Sequence, residues 1–185
     1  MADDGLDPGR DAERMFQAIG GRFFGKYRGL VVSNTDPTSR GRLQVQAPAV
    51  MGEESVWAAP CVPYAGDSVG FFALPPVGAG VWVEFEAGDP SYPIWTGCYW
   101  TDGQIDAADA LPTVKFFKTD AFTLRIDDAQ GEMVIETATG SRITINATEI
   151  KLEALQVTQS AQGCKTALTP ASFDVNDGTF TVLPG

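Results

Sequence analysis

Apolar and polar residues alternate along this chain in short runs, a period of two that indicates β-strands with differently exposed faces. Residues 42–47 alternate in this way, and so do residues 81–86, where Val81, Val83 and Phe85 share one face. Clusters rich in Gly, Pro, Asn and Asp separate the runs, as turns would. The pattern therefore predicts an all-β fold.

The first half of the chain carries five or six short predicted strands with glycine and proline between them. The strands are expected at residues 27–32, 42–47, 81–86 and 94–99, with broken apolar runs at 56–63 and 68–74. Gly88, Asp89 and Pro90 predict a tight turn between the last two strands. Short strands of this spacing are typical of a small closed barrel, which we place at residues 25–100.

The second half, residues 115–185, carries strands of about five residues that recur every seven to ten residues. Each strand exposes one apolar face, and the segment is too thin to bury these faces in a core of its own. Stacking solves this, either within a β-solenoid or between chains, most simply under three-fold symmetry. The predicted core of this assembly contains Phe122, Leu124, Ile126, Ile135, Ile143, Ile145, Ile150 and Leu152. Residues 101–114, with three aspartates, are predicted to form a linker.

The first 24 residues precede the predicted barrel and contain Met15, Phe16, Phe23 and Phe24. The spacing of apolar residues up to residue 19 predicts a short helix or an extended arm, which glycines at 20 and 21 end. A helix this short is marginal alone, so we expect it to dock, either on its own barrel or on another protein. No secretory signal is expected in this acidic start, which favours synthesis in a cytoplasm-like compartment.

The net charge of −11 is unevenly distributed. Residues 43–114 contain no Lys or Arg but nine carboxylates. Phosphate backbones need cationic partners, so this composition argues against nucleic-acid binding. The acidity is better explained as a source of solubility.

The chain contains no histidine, which excludes Ser-His-Asp and Cys-His nucleophilic systems. Its three cysteines are far apart and cannot complete a zinc site, so no metal or other cofactor is expected. They are interpreted as small core thiols, with an interchain disulfide as the alternative. We interpret the carboxylate pair Glu84–Glu86 as part of a solvent-facing strand and the pair Asp127–Asp128 as part of a turn, rather than as catalytic groups.

Four stretches form an ordered series of turn-rich motifs. They are DPTSRGRLQVQAP at residues 36–48, VWAAPCVPYAG at 56–66, LPPVGAGVWVEFEAGDPSYPIWTG at 74–97 and FTLRIDDAQGEMVIETATGSRITI at 122–145. This series resembles the phage baseplate assembly protein V family, the central spikes of contractile tails. The family is related to the spike part of type VI secretion valine-glycine repeat proteins.

The resemblance implies an OB-fold barrel followed by a trimeric, intertwined triangular β-helix that narrows to a tip. It implies a non-enzymatic homotrimer, assembled in the host cytoplasm into a tail baseplate, that engages or pierces the target cell envelope on contraction. The family motif falls here on Asp36, Gly41, Arg42, Trp57, Pro76, Gly78, Gly88, Asp89, Pro90, Pro93 and Gly97. We expect these residues to shape turns and the barrel.

Two departures from the family pattern carry expectations about partners. Some members hold iron at the apex through a His-x-His motif, which this chain lacks, so a separate tip protein is predicted to cap Phe180, Val182 and Leu183. Some relatives carry a fused hub or lysozyme domain, and 185 residues leave room for neither. A separate hub protein is therefore expected to bind Met15, Phe16, Phe23 and Phe24.

The sequence is also compatible with two alternative functions. The barrel could be a glycan-binding module, because Tyr92, Trp95, Tyr99 and Trp100 could stack on sugars. A cell-wall-degrading spike enzyme is the other alternative. The sequence does not distinguish a phage from a tailocin or another injection system.

Overall fold

A computed structural model describes residues 19–183 of the chain. The chain divides into two compact units, Met1–Gln104 and Ile105–Gly185. The described part is almost entirely β-structure, which confirms the predicted fold class. Met15, Phe16 and nearly all of the predicted N-terminal helix lie outside the described residues. No helix in residues 19–183 is long and apolar enough to cross a membrane.

The first unit is a closed five-stranded barrel with the strand order β1-β2-β3-β7-β6. Its strands are β1 (Tyr27–Ser33), β2 (Leu43–Gln46), β3 (Ser55–Pro60), β6 (Gly80–Phe85) and β7 (Pro93–Tyr99), and a one-turn helix α1 (Pro48–Met51) lies between β2 and β3. All neighbours are antiparallel except β3 and β7, whose parallel seam joins Ala59 to Ile94 and Pro60 to Trp95. The seam closes the barrel that the strand spacing predicts.

The barrel interior is filled by the residues on one face of each alternating run. Val81 and Val83 have no accessible surface, and Phe85 is 6% exposed, as the alternation predicts. Leu43 and Val45 on β2 are also fully buried. The other buried members of this core are Val31, Ala47, Ala58 and Trp95. Period-two patterning therefore identifies the inward faces correctly.

A small hairpin leaves the barrel between β3 and β6. It consists of β4 (Ala65–Gly66) and β5 (Val69–Gly70), with Asp67 and Ser68 in the turn. Of the broken apolar run at 68–74, only Val69 and Gly70 form a strand, paired with Gly66 and Ala65. The Phe71 N–H still donates to the Tyr64 carbonyl at 2.9 Å, but residues 71–74 do not continue the strand.

The second unit contains two antiparallel meanders. The first is a five-stranded sheet of β8 (Val114–Lys118), β9 (Phe122–Asp127), β10 (Glu132–Thr137), β11 (Arg142–Ile145) and β12 (Ile150–Glu153). The second is a four-stranded sheet of β13 (Val157–Ala161), β14 (Cys164–Leu168), β15 (Phe173–Val175) and β16 (Phe180–Val182). The alternation does not predict β14, which carries Lys165 and Thr166. It predicts a strand that contains both Leu155 and Val157, but Leu155 lies before the start of β13.

Candidate functional site

One face of the five-stranded sheet is a continuous apolar surface. Residues directly opposite each other on neighbouring strands share a face. The register pairs Ile135 with Leu124 on one side and with Ile143 on the other. It continues the row to Phe117 and Leu152 at the two edges. A row of aliphatic and aromatic side chains therefore crosses the whole sheet.

A second apolar row runs beside the first. Met133 is paired with Ile126 and Ile145, and Ile145 is paired with Ile150. Phe122 lies on the same face, opposite Thr137. All eight residues predicted to form the assembly core thus share one surface, which we call the apolar face: Phe122, Leu124, Ile126, Ile135, Ile143, Ile145, Ile150 and Leu152.

The apolar face is open to solvent in the single chain. Leu124, Ile126, Ile135 and Ile143 are 36–40% exposed, and Ile150 is 71% exposed. A contiguous exposed surface of this kind marks an interaction site on a soluble protein. Within the second unit of the described chain, these side chains have no covering layer.

The opposite face is covered by paired charges. Arg125 donates to Asp109 and Asp127, each at 3.1 Å, and these contacts raise the pKa of the guanidinium, the Asp109 hydrogen bond most. Arg142 lies 3.5 Å from Glu136 and donates to the hydroxyl of Thr144 at 3.1 Å. The long side chains bury Val134 and Thr144 to 4% and 7% exposure. This face therefore presents paired charges to water, whereas the apolar face presents exposed aliphatic side chains.

The loop before β8 contributes Asp109 to this polar face. Asp106 caps the turn that carries it, because its carboxylate accepts from the N–H of Ala108 at 2.8 Å. The sequence indicated only a linker here. An aspartate 16 residues before its arginine gives no local pattern that could predict the ion pair.

The four-stranded sheet continues the amphipathic arrangement towards the C-terminus. Val157, Leu168, Phe173 and Val182 are successive cross-strand partners and form one row. Phe180, predicted to face the tip, is 59% exposed, and Val182 and Leu183 are 49% and 70% exposed. The last strand, β16, is an edge strand with exposed apolar side chains.

The family-motif residues of the barrel fall into two groups. Asp36, Gly41, Pro76, Gly78, Asp89 and Pro90 lie in loops or turns, and Gly88 ends a short 3-10 helix (Glu86–Gly88). Arg42 precedes β2, and Trp57, Pro93 and Gly97 lie in strands. Asp36 and Arg42 form a salt bridge of 2.9 Å, and the Arg42 guanidinium lies 5.2 Å from the Trp57 ring. Asp36, Arg42 and Trp57 therefore fix the loop between β1 and β2, and they do not form a catalytic arrangement.

The turn at Gly88-Asp89-Pro90 is organised by one carboxylate. Asp89 accepts from the N–H of Ser91 at 3.0 Å, and this bond lowers the pKa of the carboxyl. Gly88 has φ +77°, and an added Cβ would meet the Phe24 ring at 3.0 Å. Gly97 lies in β7, beside an irregularity in its pairing with β6. These positions shape the last hairpin of the barrel.

The described candidates for hub docking differ in exposure. Phe23 packs on the barrel, with its ring 6.1 Å from those of Tyr27 and Phe85. Phe24 is 62% exposed. Phe23 is therefore part of the barrel packing, and Phe24 presents a surface that another protein could contact.

The aromatic residues considered for glycan binding do not form one platform. Trp95 is 5% exposed and donates its indole N–H to the Gly41 carbonyl at 3.2 Å. Tyr99 packs against Trp82, with ring centroids 5.0 Å apart. Tyr92 and Trp100 are 61% and 67% exposed. Trp95 is part of the barrel core and is not accessible to a sugar. The four aromatic residues therefore do not form the continuous patch that glycan binding would require.

The titratable groups show no catalytic or metal-binding constellation in residues 19–183. No cluster of three His, Cys, Asp or Glu residues capable of holding a metal occurs in this part of the chain. Glu84 is paired with Lys26 at 2.6 Å rather than with Glu86. Cys61, Cys98 and Cys164 are free thiols, and all three are exposed in the single chain, so the interpretation as core thiols is wrong. Partial desolvation still raises the pKa of the Cys98 thiol.

Comparison with family models matches both units of the chain. Residues 27–100 match the type VI secretion system/phage-baseplate injector OB domain. Residues 114–181 match the phage baseplate V C-terminal trimerisation domain. No curated protein matches the chain. The two matches cover most of the sequence, and the chain therefore belongs to the phage baseplate V family, with an injector OB domain followed by a trimerisation domain.

Proposed function

We propose that three copies of this protein form the central spike of a contractile tail baseplate or of a related injection particle. The spike would engage or pierce the target envelope when the tail contracts. The observation that carries this proposal is the pair of unlike sheet faces in the trimerisation domain. One face is covered by ion pairs, and the other exposes aliphatic rows across the sheet.

Three apolar faces turned towards a common axis bury one another and leave the charged faces in water. Burying apolar surface contributes about 25 cal/mol per Å². Three copies at −11 give the particle a formal charge of −33, which keeps its outer surface soluble. The same sheet faces therefore supply both cohesion and solubility.

The predicted triangular β-helix follows from this packing. In this arrangement the nine strands from β8 to β16 would lie across the three-fold axis and stack along it. Strands spaced by about 4.8 Å then give a spike of about 40 Å. Its work is mechanical, so stiffness rather than turnover is required of it.

A separate hub protein is proposed at the N-terminal side, contacting Phe24 and the segment before it. A separate tip protein is proposed at the C-terminal end. There, the edge strand β16 offers exposed Phe180 and Val182 beside Leu183. No observation favours a carbohydrate ligand or a hydrolytic reaction over this structural role.

The mass of the full chain in solution tests the proposal. Light scattering is expected to give three times the mass of 19.7 kDa. A folded monomer would contradict the spike. A chain ending at residue 104 is expected to lose trimerisation. One lacking residues 1–22, which keeps Phe23 on the barrel, is expected to remain a trimer but to lose affinity for the hub.

A further inference from the structure

The hairpin of β4 and β5 forms an apolar projection from the barrel, which we call the hairpin arm, residues 64–72. Tyr64, Val69 and Phe71 are 54–57% exposed, and Phe72 is 76% exposed. Two-residue strands cannot hold an isolated hairpin in water by themselves. Side chains this large and this exposed indicate that another surface covers the arm in the assembled protein.

A groove separates the hairpin arm from the barrel. It has a volume of about 430 Å³, and its lining is mainly apolar. Pro60 and Trp95, which pair in the β3–β7 seam, lie on its barrel side together with Gly41. The arm and the groove thus form one apolar surface at the end of β3.

A second exposed apolar surface lies on the outer face of β1, which we call the β1 strip. It contains Leu30 at 46% exposure, Val32 at 44% and Val77 at 61%. The loop carrying Val77 is fixed to β1, because Gly78 donates to the Val31 carbonyl at 2.8 Å and Val31 donates to the Ala79 carbonyl at 3.0 Å. Each barrel therefore presents two different apolar surfaces.

Each surface carries one charged side chain without a salt bridge in the described residues, and these two side chains are of opposite sign. Asp67 lies in the turn of the hairpin arm, inside the cation-free segment 43–114. Arg28 lies on the same face of β1 as Leu30 and Val32, and its guanidinium is 5.1 Å from the Trp82 ring and 4.7 Å from the Tyr99 ring. Within residues 19–183, neither Asp67 nor Arg28 takes part in a salt bridge. Asp67 on the hairpin arm and Arg28 on the β1 strip can therefore each pair with a group of opposite charge on a partner.

We infer that in the trimer the hairpin arm of each barrel packs on the β1 strip of the next copy, with Asp67 beside Arg28. A cyclic trimer joins two different surfaces of each protomer, and this contact repeated three times closes the ring. The inference rests on the proposed trimer, because the trimerisation domains hold the barrels at high effective concentration. The occupant of the arm is thus a second copy of this chain.

Site-directed cross-linking of the full chain tests the contact. The background carries Cys61→Ser, Cys98→Ser and Cys164→Ser, so that only introduced thiols react. Asp67→Cys together with Arg28→Cys is treated with a short bismaleimide and run on a denaturing gel. The expected products are covalent species of two and three chains. Either single variant alone is expected to stay a single chain, whereas mixed trimers of the two single variants are expected to give linked dimers.

A matched control pairs Arg28→Cys with Glu53→Cys, an exposed carboxylate of the same cation-free segment, and is expected to give no linked chains. Light scattering on the same samples separates the two proposals. A trimer that gives no linked species, or one in which Asp67→Cys alone links to itself, would overturn the inference and leave the spike intact. The first result would indicate that the arm is left for a different protein. A monomer would overturn both proposals.

Discussion

Asp36 Oδ1 accepts hydrogen bonds from Nε and Nη2 of Arg42, at 3.1 and 2.9 Å. The other carboxylate oxygen accepts from the backbone N–H groups of Arg40 and Arg42, at 2.8 and 3.2 Å. The Asp36 side chain is only 3% exposed. These bonds fold the loop between β1 and β2 around one carboxylate, and the Arg42 side chain then lies against Trp57.

Asp36→Asn is expected to lower the unfolding temperature of the barrel by about 5 °C or more. The amide cannot satisfy the N–H donors of Arg42 and of the backbone that now converge on the carboxylate. Circular dichroism during heating measures the change. Asp102→Asn, at an exposed position, is the matched control and should leave the midpoint unchanged. Equal midpoints for the two variants would show that the loop does not depend on the carboxylate.

The effect of Asp36→Asn is expected to depend on pH. The Arg42 hydrogen bonds hold the pKa of Asp36 well below its ordinary value of 3.8. A carboxyl whose pKa is lower in the folded state stabilises the fold above the unfolded pKa, and this contribution is lost as the pH falls towards the folded pKa.

The stability difference between wild type and Asp36→Asn should therefore be constant from pH 8 to about pH 5 and shrink below about pH 4. Urea titrations at a series of pH values measure it. A difference that grew on acidification would contradict this assignment.

Ile135→Glu is expected to convert the trimer to a monomer. Ile135 lies at the centre of the apolar face, between Leu124 and Ile143, so three carboxylates would be buried together in the assembly. Light scattering should show the mass falling to one third while the near-ultraviolet spectrum of the barrel is retained.

Leu111→Glu is the control for Ile135→Glu. Leu111 is an exposed aliphatic residue in the loop before β8 and does not belong to the apolar face. This variant should remain a trimer. Dissociation by both substitutions would show that added charge, rather than the apolar face, controls assembly.

Gly29→Ala is expected to destabilise the barrel by about 1–3 kcal/mol, the usual cost of forcing extra volume into a packed interior. A Cβ at this position would lie 2.9 Å from Val83 Cγ2 and 3.0 Å from the Gln46 carbonyl oxygen. Adding Val83→Ala removes the nearer contact. The cost of Gly29→Ala should therefore be smaller in the Val83→Ala background, and purely additive losses would contradict the predicted clash.

The alternating runs predicted the all-β fold and the barrel because, within each strand, the apolar positions identify the face that is buried. Val81, Val83 and Phe85 were assigned inward by spacing alone, and all three are buried. Short glycine turns, such as the one at Gly131, tie neighbouring strands in register and so place Leu124 and Ile135 side by side. That these residues form a trimer core stays a prediction.

The features missed by the sequence depend on contacts between distant residues. The β3–β7 seam joins segments more than 30 residues apart, and its parallel direction leaves no local signal. Strand β14 was missed because Lys165 and Thr166 weaken its alternation. The hairpin arm was not predicted, since a run of apolar residues does not reveal whether a partner strand exists within the same chain.

In the single chain, the strands of each sheet in the second unit pair with their neighbours in sequence, and the apolar face stays exposed. In the proposed spike, this face is covered only when three copies meet. The rate of assembly should then rise with protein concentration. A copy waiting for its partners exposes its apolar face, and the time spent waiting sets the risk of aggregation during synthesis.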